Sequence, residues 1–165
     1  MKILVADDNP VLHNVLKAML TNWGYEVVVA SNGIEAWRQL QAEDGPRLAI
    51  LDWRMPGMDG VEICRRVRSE GHLNYVYLLL LTPNTSSEDL AWAMEAGADD
   101  YVAKPFKSAE LRARVRAGCR ILKLREQLMF ACQTLLVSSA IDPLLSAPLS
   151  TLQQFPFRQS AGVPE

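Results

Sequence analysis

Five short stretches of this chain, nearly all of them solid apolar runs, limit its fold more than any other feature. They fall at 3–6, 25–30, 48–51, 75–81 and 101–103. Each is too short for a helix and is bounded by turn-forming residues. A solid rather than alternating run marks a strand buried on both faces, as strands are in parallel sheets. Between the runs the pattern changes to helical spacing. Asn9-Pro10 starts the first helix, with Asn9 as N-cap and Pro10 at the first helical position, where its missing N–H costs nothing. Val11, Val15, Leu16, Met19 and Leu20 supply its apolar face, and Gly24 closes it. Ser31-Asn32-Gly33 turns into a second helix with Ile34, Trp37 and Leu40 inward, and Asp44-Gly45-Pro46 breaks it.

The third helix follows a capping box, Asp59 to Glu62, with Val61, Cys64 and Val67 inward and Arg65, Arg66 and Arg68 outward. The fourth is capped at Ser86–Asp89, has Leu90, Ala93 and Met94 as its core face and ends at Gly97. A last helix begins near Ser108. Strand and helix thus alternate five times through short loops. The order predicts a doubly wound α/β fold, a parallel sheet covered by helices on both faces, with the first and third strands adjacent.

In such a sheet the carboxyl ends of all strands lie along one edge, where open α/β proteins place their chemistry. Four of the five strands here end in reactive groups: Asp7 and Asp8, Asp52, Thr82, and Lys104. Any one of these is more simply read as a turn or surface residue; their convergence on one edge makes a site the better reading. Three carboxylates at close range repel one another, and a hard divalent cation removes the repulsion. Carboxylates with water suit Mg²⁺, which shares its remaining positions with phosphate oxygens. The Thr82 hydroxyl and the Lys104 ammonium suit the oxygens of a phosphoryl group at the same edge.

This set resembles the receiver domain of two-component response regulators. The resemblance rests on Asp7-Asp8, on Leu51-Asp-Trp-Arg-Met-Pro-Gly-Met-Asp-Gly60, on Leu81-Thr82 and on Gly97-Ala-Asp-Asp-Tyr-Val-Ala-Lys-Pro-Phe106, and it covers roughly residues 1–120. It implies a flavodoxin-like sheet of order 2-1-3-4-5, with Asp52 phosphorylated by a partner histidine kinase or phosphotransfer protein. It also implies direct Mg²⁺ ligation by Asp8, ligation through water by Asp7, and a further ligand from the Arg54 carbonyl. Thr82 and Lys104 would contact the phosphoryl oxygens, and the 104–105 peptide would be cis. Tyr101 would be the switch aromatic that turns inward as Thr82 moves, with residues 87–116 as the affected surface. Two departures stand out. Pro83 removes an N–H beside Thr82 where the family has a small residue, and Arg54 and Asn84 occupy positions that tune dephosphorylation.

Two other classes fit less well. A Mg²⁺-dependent phosphatase of the haloacid dehalogenase type also forms an aspartyl-phosphate, but its nucleophile follows the first strand in Asp-x-Asp. Here residues 7–9 read Asp-Asp-Asn. A flavodoxin-like FMN binder needs a Ser/Thr/Gly phosphate cradle, which the acidic first loop lacks.

Beyond the receiver match, Ala117, Ile121, Leu124, Leu128, Ala131 and Leu135 step by four and three, a heptad seam. Residues 121–138 are therefore expected to form a helical extension that pairs with a second copy as a coiled coil, and 139–165 a flexible tail. The stretch Ala140-Ile-Asp-Pro-Leu144 resembles the junction that precedes diguanylate cyclase domains, yet the tail is too short for an output enzyme. Charge divides along the same line. Up to residue 110, ten Lys and Arg face sixteen Asp and Glu, and beyond it seven face three. An acidic body argues against direct nucleic-acid binding. The start of the chain turns acidic after four apolar residues, unlike a signal peptide, and no run approaches membrane-span length. Cys64, Cys119 and Cys132 are odd in number and widely spaced. They read as reduced thiols, and the expected location is the cytoplasm.

Overall fold

The computed structural model describes residues 1–70, 75–83 and 86–145. Five parallel strands, β1 (Lys2–Ala6), β2 (Glu26–Ala30), β3 (Leu48–Asp52), β4 (Tyr77–Thr82) and β5 (Asp100–Ala103), form one sheet in the order β2-β1-β3-β4-β5. The helices are α1 (Pro10–Asn22), α2 (Gly33–Leu40), α3 (Gly60–Ser69), α4 (Ser87–Glu95) and α5 (Ser108–Leu145). This is the expected doubly wound, flavodoxin-like arrangement. β1 and β3 are neighbours, in register from Ile3↔Leu48 to Ala6↔Leu51.

All of β3 and β4 is buried, which is why these strands read as unbroken apolar runs. One core layer gathers Leu4, Ala49, Leu51, Leu78 and Leu80 with Trp37, Val61, Cys64 and Ala93 from α2, α3 and α4. The other gathers Ile3, Val5, Ile50, Leu79 and Leu81 with Leu16, Leu20, Leu111 and Val115 from α1 and α5. Alternate strand residues feed opposite layers, and each fully buried leucine contributes about 1.5–3 kcal/mol.

The caps stand where they were expected. Asn9 Oδ1 accepts from the amide of Val11 at 2.9 Å, Asp59 Oδ1 from Glu62 at 2.6 Å, and Ser86 Oγ from Asp89 at 3.2 Å. Several inward assignments do not hold. Val11, Val15, Ile34 and Met94 are 69%, 46%, 50% and 41% exposed. Each flanks the arc of its helix that meets the sheet, so α1 packs through Leu12, Leu16, Met19 and Leu20, and α2 through Ala36, Trp37 and Leu40. Arg68 also departs from expectation. Rather than pointing outward, it folds back and donates to the carbonyls of Gly97 and Val76 and to Asp99 Oδ2. It thereby ties α3 to the start of β4 and to the turn before β5.

Cys64 sits wholly inside its core layer, and burial pushes its thiol up to about 12. In mildly alkaline buffer it stays protonated and sealed off. Ellman's reagent should therefore titrate exposed Cys132 in the native chain and reach Cys64 only after denaturant is added. Native-state labelling of Cys64, mapped by peptide mass, would contradict this packing.

Two compact units are distinguished, Met1–Arg125 and Glu126–Glu165. In the second, the described part is helix as far as Leu145, beyond Ser138 where helical patterning fades in the sequence. Leu128, Met129, Phe130, Leu135 and Leu136 are each more than half exposed. No helix among the described residues is long and apolar enough to cross a membrane. Asn84 and residues 146–165, most of the expected flexible tail, lie outside the described residues, as do the side chains of Ala140-Ile-Asp-Pro-Leu144.

Candidate functional site

The carboxyl ends of β1, β3 and β5 bring Asp7, Asp8, Asp52 and Lys104 together, with Thr82 at the end of the neighbouring β4. Asp7 follows β1 and is fully buried. One of its carboxylate oxygens accepts from the Asn9 amide at 2.8 Å, and the other accepts from Lys104 Nζ at 2.8 Å. The same ammonium donates to Asp52 Oδ1 at 2.7 Å. Lys104 therefore bridges two carboxylates that lie 97 and 52 residues away in the chain. Asp8 is exposed at the mouth, and one oxygen from each of Asp7, Asp8 and Asp52 lies within 4.8 Å of the others. Such a set of hard oxygen donors fits a divalent cation, with Asp8 open to water.

Lys104 is aimed by its backbone. Its amide donates to the Thr82 carbonyl at 2.7 Å, continuing the β4–β5 ladder, and the peptide that follows it, Lys104–Pro105, is cis. Thr82 is fully buried at the end of β4, paired in register with Ala103, while Leu81 is paired with Asp52. Tyr101 is half-buried and packs on the core layer that holds α2, α3 and α4. Arg54 is exposed two residues past Asp52. Between these elements is a cavity of about 50 Å³ lined by Trp53, Arg54, Thr82, Pro83 and Asp89.

Electrostatics follow from the burial. Burial raises the Asp52 carboxyl above its ordinary range; the Lys104 contact opposes this without cancelling it, and Asp7 adds repulsion. Burial pulls Lys104 down, but its hydrogen bonds to Asp52 and Asp7 outweigh that, so its pKa is raised and the ammonium persists. A half-buried cation facing an acidic pocket is what an incoming, multiply charged group requires.

Two features near the site carry no signal in the sequence. His13 is a lone histidine on α1, yet its Nε2 accepts from the Asp7 amide at 3.2 Å, an amide that also donates to Ala30 O at 3.2 Å. Trp92 reads as one aromatic residue on an amphipathic helix, but its ring stands 5.8 Å from that of Trp53.

A five-stranded parallel sheet in this order, with carboxylates and a lysine converging on the edge beside β1 and β3, defines a class of signalling domain. The chain belongs to the response regulator receiver domain family, whose model matches residues 3–116. It is 41% identical over 119 residues to the DNA-binding response regulator MtrA of Mycolicibacterium smegmatis, covering 72% of this chain and 50% of the relative. It is 33% identical over 116 residues to the chemotaxis protein CheY1 of Helicobacter pylori, covering 70% of this chain and 94% of that one. The chain thus spans about half the length of MtrA but nearly all of CheY1. Among solved structures, the receiver domain of a Pseudomonas aeruginosa sensor histidine kinase matches with a TM-score of 0.64 and 35% identity, over 71% of this chain and 95% of that one. That receiver domain carries a magnesium ion coordinated in its active site cleft. Nothing in these likenesses supports the phosphatase alternative, and the acceptor candidate here ends the third strand rather than following the first.

Proposed function

We propose that this chain works as a phosphorylation-switched receiver in which Asp52 takes a phosphoryl group from a phosphohistidine on a kinase or phosphotransfer protein. One observation carries the reading: Lys104 Nζ bridges Asp52 and buried Asp7 at 2.7 and 2.8 Å. An Asp52 oxygen forms the O–P bond while the P–N bond of the phosphohistidine breaks. The electron pair leaves with the imidazole nitrogen, which takes up a proton from water. The work is positioning and charge neutralisation, because phosphoryl transfer needs little else from a protein. Magnesium held by Asp7, Asp8, Asp52 and the Arg54 carbonyl would supply a further positive charge at the phosphoryl oxygens. Lys104 balances the charge from the other side, and the Thr82 hydroxyl takes a phosphoryl oxygen. Tyr101 then fills the space that Thr82 leaves, and residues 87–116 pass the change outward.

The test is direct. Incubated with acetyl phosphate and Mg²⁺, the chain should gain one phosphoryl group on Asp52. Asp52→Asn should gain none, and chelating the metal should prevent labelling. Steady turnover of phosphomonoesters without a stable adduct would overturn the switch in favour of a phosphatase.

The extension supports a second part of the reading, a parallel dimer. Ile121, Leu124, Leu128 and Leu135, all on the heptad seam, are between 40% and 70% exposed, and burying such a seam is what drives helices to pair. The partner is a second copy, and any downstream output, such as the cyclase type suggested by residues 140–144, would be steered through this pair. The receiver itself supplies no output chemistry in this scheme. Sedimentation should give a dimer for the intact chain and a monomer for a version ending at Gly118. Equal monomer masses for both would remove the dimer and leave the receiver reading standing.

A further inference from the structure

The helix that follows β4 is weakly held. Of the nine residues of α4, only Ala93 is fully buried. What else fastens this helix is therefore a sizeable part of its attachment. The largest side chain on it, Trp92, is 42% exposed yet has a contact on each side. Its ring meets that of Trp53 with centroids 5.8 Å apart and planes tilted by 37°. The guanidinium carbon of Arg65, on α3, lies 4.6 Å from the centre of the Trp92 ring. Both geometries are attractive: a tilted aromatic pair, and a cation over an indole face.

Trp53 is not a neutral anchor. It directly follows Asp52, and its backbone is fixed from both sides. Its amide donates to the Leu81 carbonyl at 2.9 Å, and its carbonyl accepts from the Gly60 amide at 3.0 Å. The indole is thus aimed by the segment that carries the acceptor carboxylate. Beside it, the cavity of about 50 Å³ lies against Thr82, Pro83 and Asp89, the last of these in the first turn of α4. Space next to a lightly packed helix lets that end of α4 shift, but such a shift separates Trp92 from Trp53, from Arg65, or from both.

We propose that Trp92 is a coupling residue: the Arg65–Trp92–Trp53 stack holds α4 in the position that accompanies direct contact of Lys104 Nζ with Asp52 Oδ1 at 2.7 Å, and so opposes occupation of Asp52. This inference rests on the receiver reading above and adds to it a second connection between acceptor and α4, separate from Thr82 and Tyr101. Because coupling between sites is reciprocal, a contact that resists movement of α4 must weaken binding at the acceptor by the same factor. Loosening the stack then tightens the site.

The measurement is the affinity of the full chain for beryllium fluoride, an unreactive phosphoryl mimic, by calorimetry in saturating Mg²⁺. Arg65→Gln, which loses the partly exposed cation–aromatic contact alone, should bind it roughly twofold more tightly than the wild type, and Trp92→Ala, which loses the Trp53 ring pair as well, at least about threefold more tightly. Trp92→Phe keeps an aromatic face and should stay near the wild-type value. A purely structural role for Trp92 would lower the melting temperature and leave affinity unchanged. Unchanged or weaker binding by both Trp92→Ala and Arg65→Gln overturns the proposal. Arg65→Gln is a surface change that preserves the fold, so the test stands even if Trp92→Ala unfolds. Wild-type chain that binds no beryllium fluoride would remove the receiver chemistry and this inference together. Wild-type binding that is lost in Asp52→Asn but unaltered in the stack variants would remove this inference alone.

Discussion

Lys104→Ala should lower the rate of Asp52 phosphorylation by acetyl phosphate by about two to three orders of magnitude, the usual cost of removing one preorganised charge from a transition state. Its ammonium already stands 2.7 Å from Asp52 and 2.8 Å from Asp7, and so needs little reorganisation when charge arrives. Lys104→Arg should recover little, because a planar guanidinium cannot replace a compact ammonium between two carboxylates. A rate within a few-fold of wild type for Lys104→Ala would contradict the role given to this residue. Stability responds as well. Removing the cation leaves Asp7 and Asp52 facing each other. Breaking a buried pair costs about 3–5 kcal/mol, and the 23% exposure of the Lys104 side chain reduces this to roughly 1–3 kcal/mol. The pH dependence has a definite sign. The Asp52 carboxyl is raised in the folded state, so between its unfolded and folded values the native chain holds a proton that the unfolded chain releases. Stability from this group is present at low pH and lost as pH rises through its raised value. In magnesium-free buffer, the deficit of Lys104→Ala should shrink as pH falls toward that value; a deficit constant with pH would mean the carboxylates do not interact.

Gly33→Ala should cost about 3 kcal/mol and lower the melting temperature by roughly 10 °C. A Cβ at this position would stand 1.8 Å from the Met58 carbonyl oxygen, 2.6 Å from its carbon and 2.7 Å from its Cβ. None of these is the end of a flexible side chain, so the loop between β3 and α3 must move as a body. The Gly33 amide also donates to Pro56 O at 3.1 Å, which fixes that loop against the start of α2. Since the loop leaves directly from the strand bearing Asp52, phosphorylation should slow in the same variant. Gly24→Ala is the control. Nothing stands within 4 Å of its Cβ, and only the backbone angle of +86° opposes it, a cost of about 1–2 kcal/mol. Equal losses in the two variants would show that close approach at Gly33 is not what matters.

Much of the architecture was legible before any coordinates. Unbroken apolar runs can only be strands covered on both sides, as all of β3 and β4 proves to be. The N-caps at Asn9, Asp59 and Ser86 announced three helices because a short polar side chain before an apolar period has one local use. The chemical residues were legible for the related reason that they stand at strand ends, and parallel strands share a carboxyl edge. Less legible was which flank of each helix meets the sheet. Val11 and Val15 have the spacing of core residues and are exposed, because a helical period fixes relative direction but not the docking rotation.

What the sequence determined alone is everything set by spacing along the chain: element type and order, and the presence of Asp7, Asp8, Asp52, Thr82 and Lys104 at strand ends. What only the folded chain decided is distance between remote residues. The Lys104 bridge to Asp7 and Asp52, the return of Arg68 to Asp99 and the stacking of Trp92 on Trp53 all join parts of the chain at least 31 residues apart. Local propensity acts over a few residues, whereas these contacts depend on how helices and strands are placed by packing around a shared core. That placement is a property of the whole sheet and is written in no single segment.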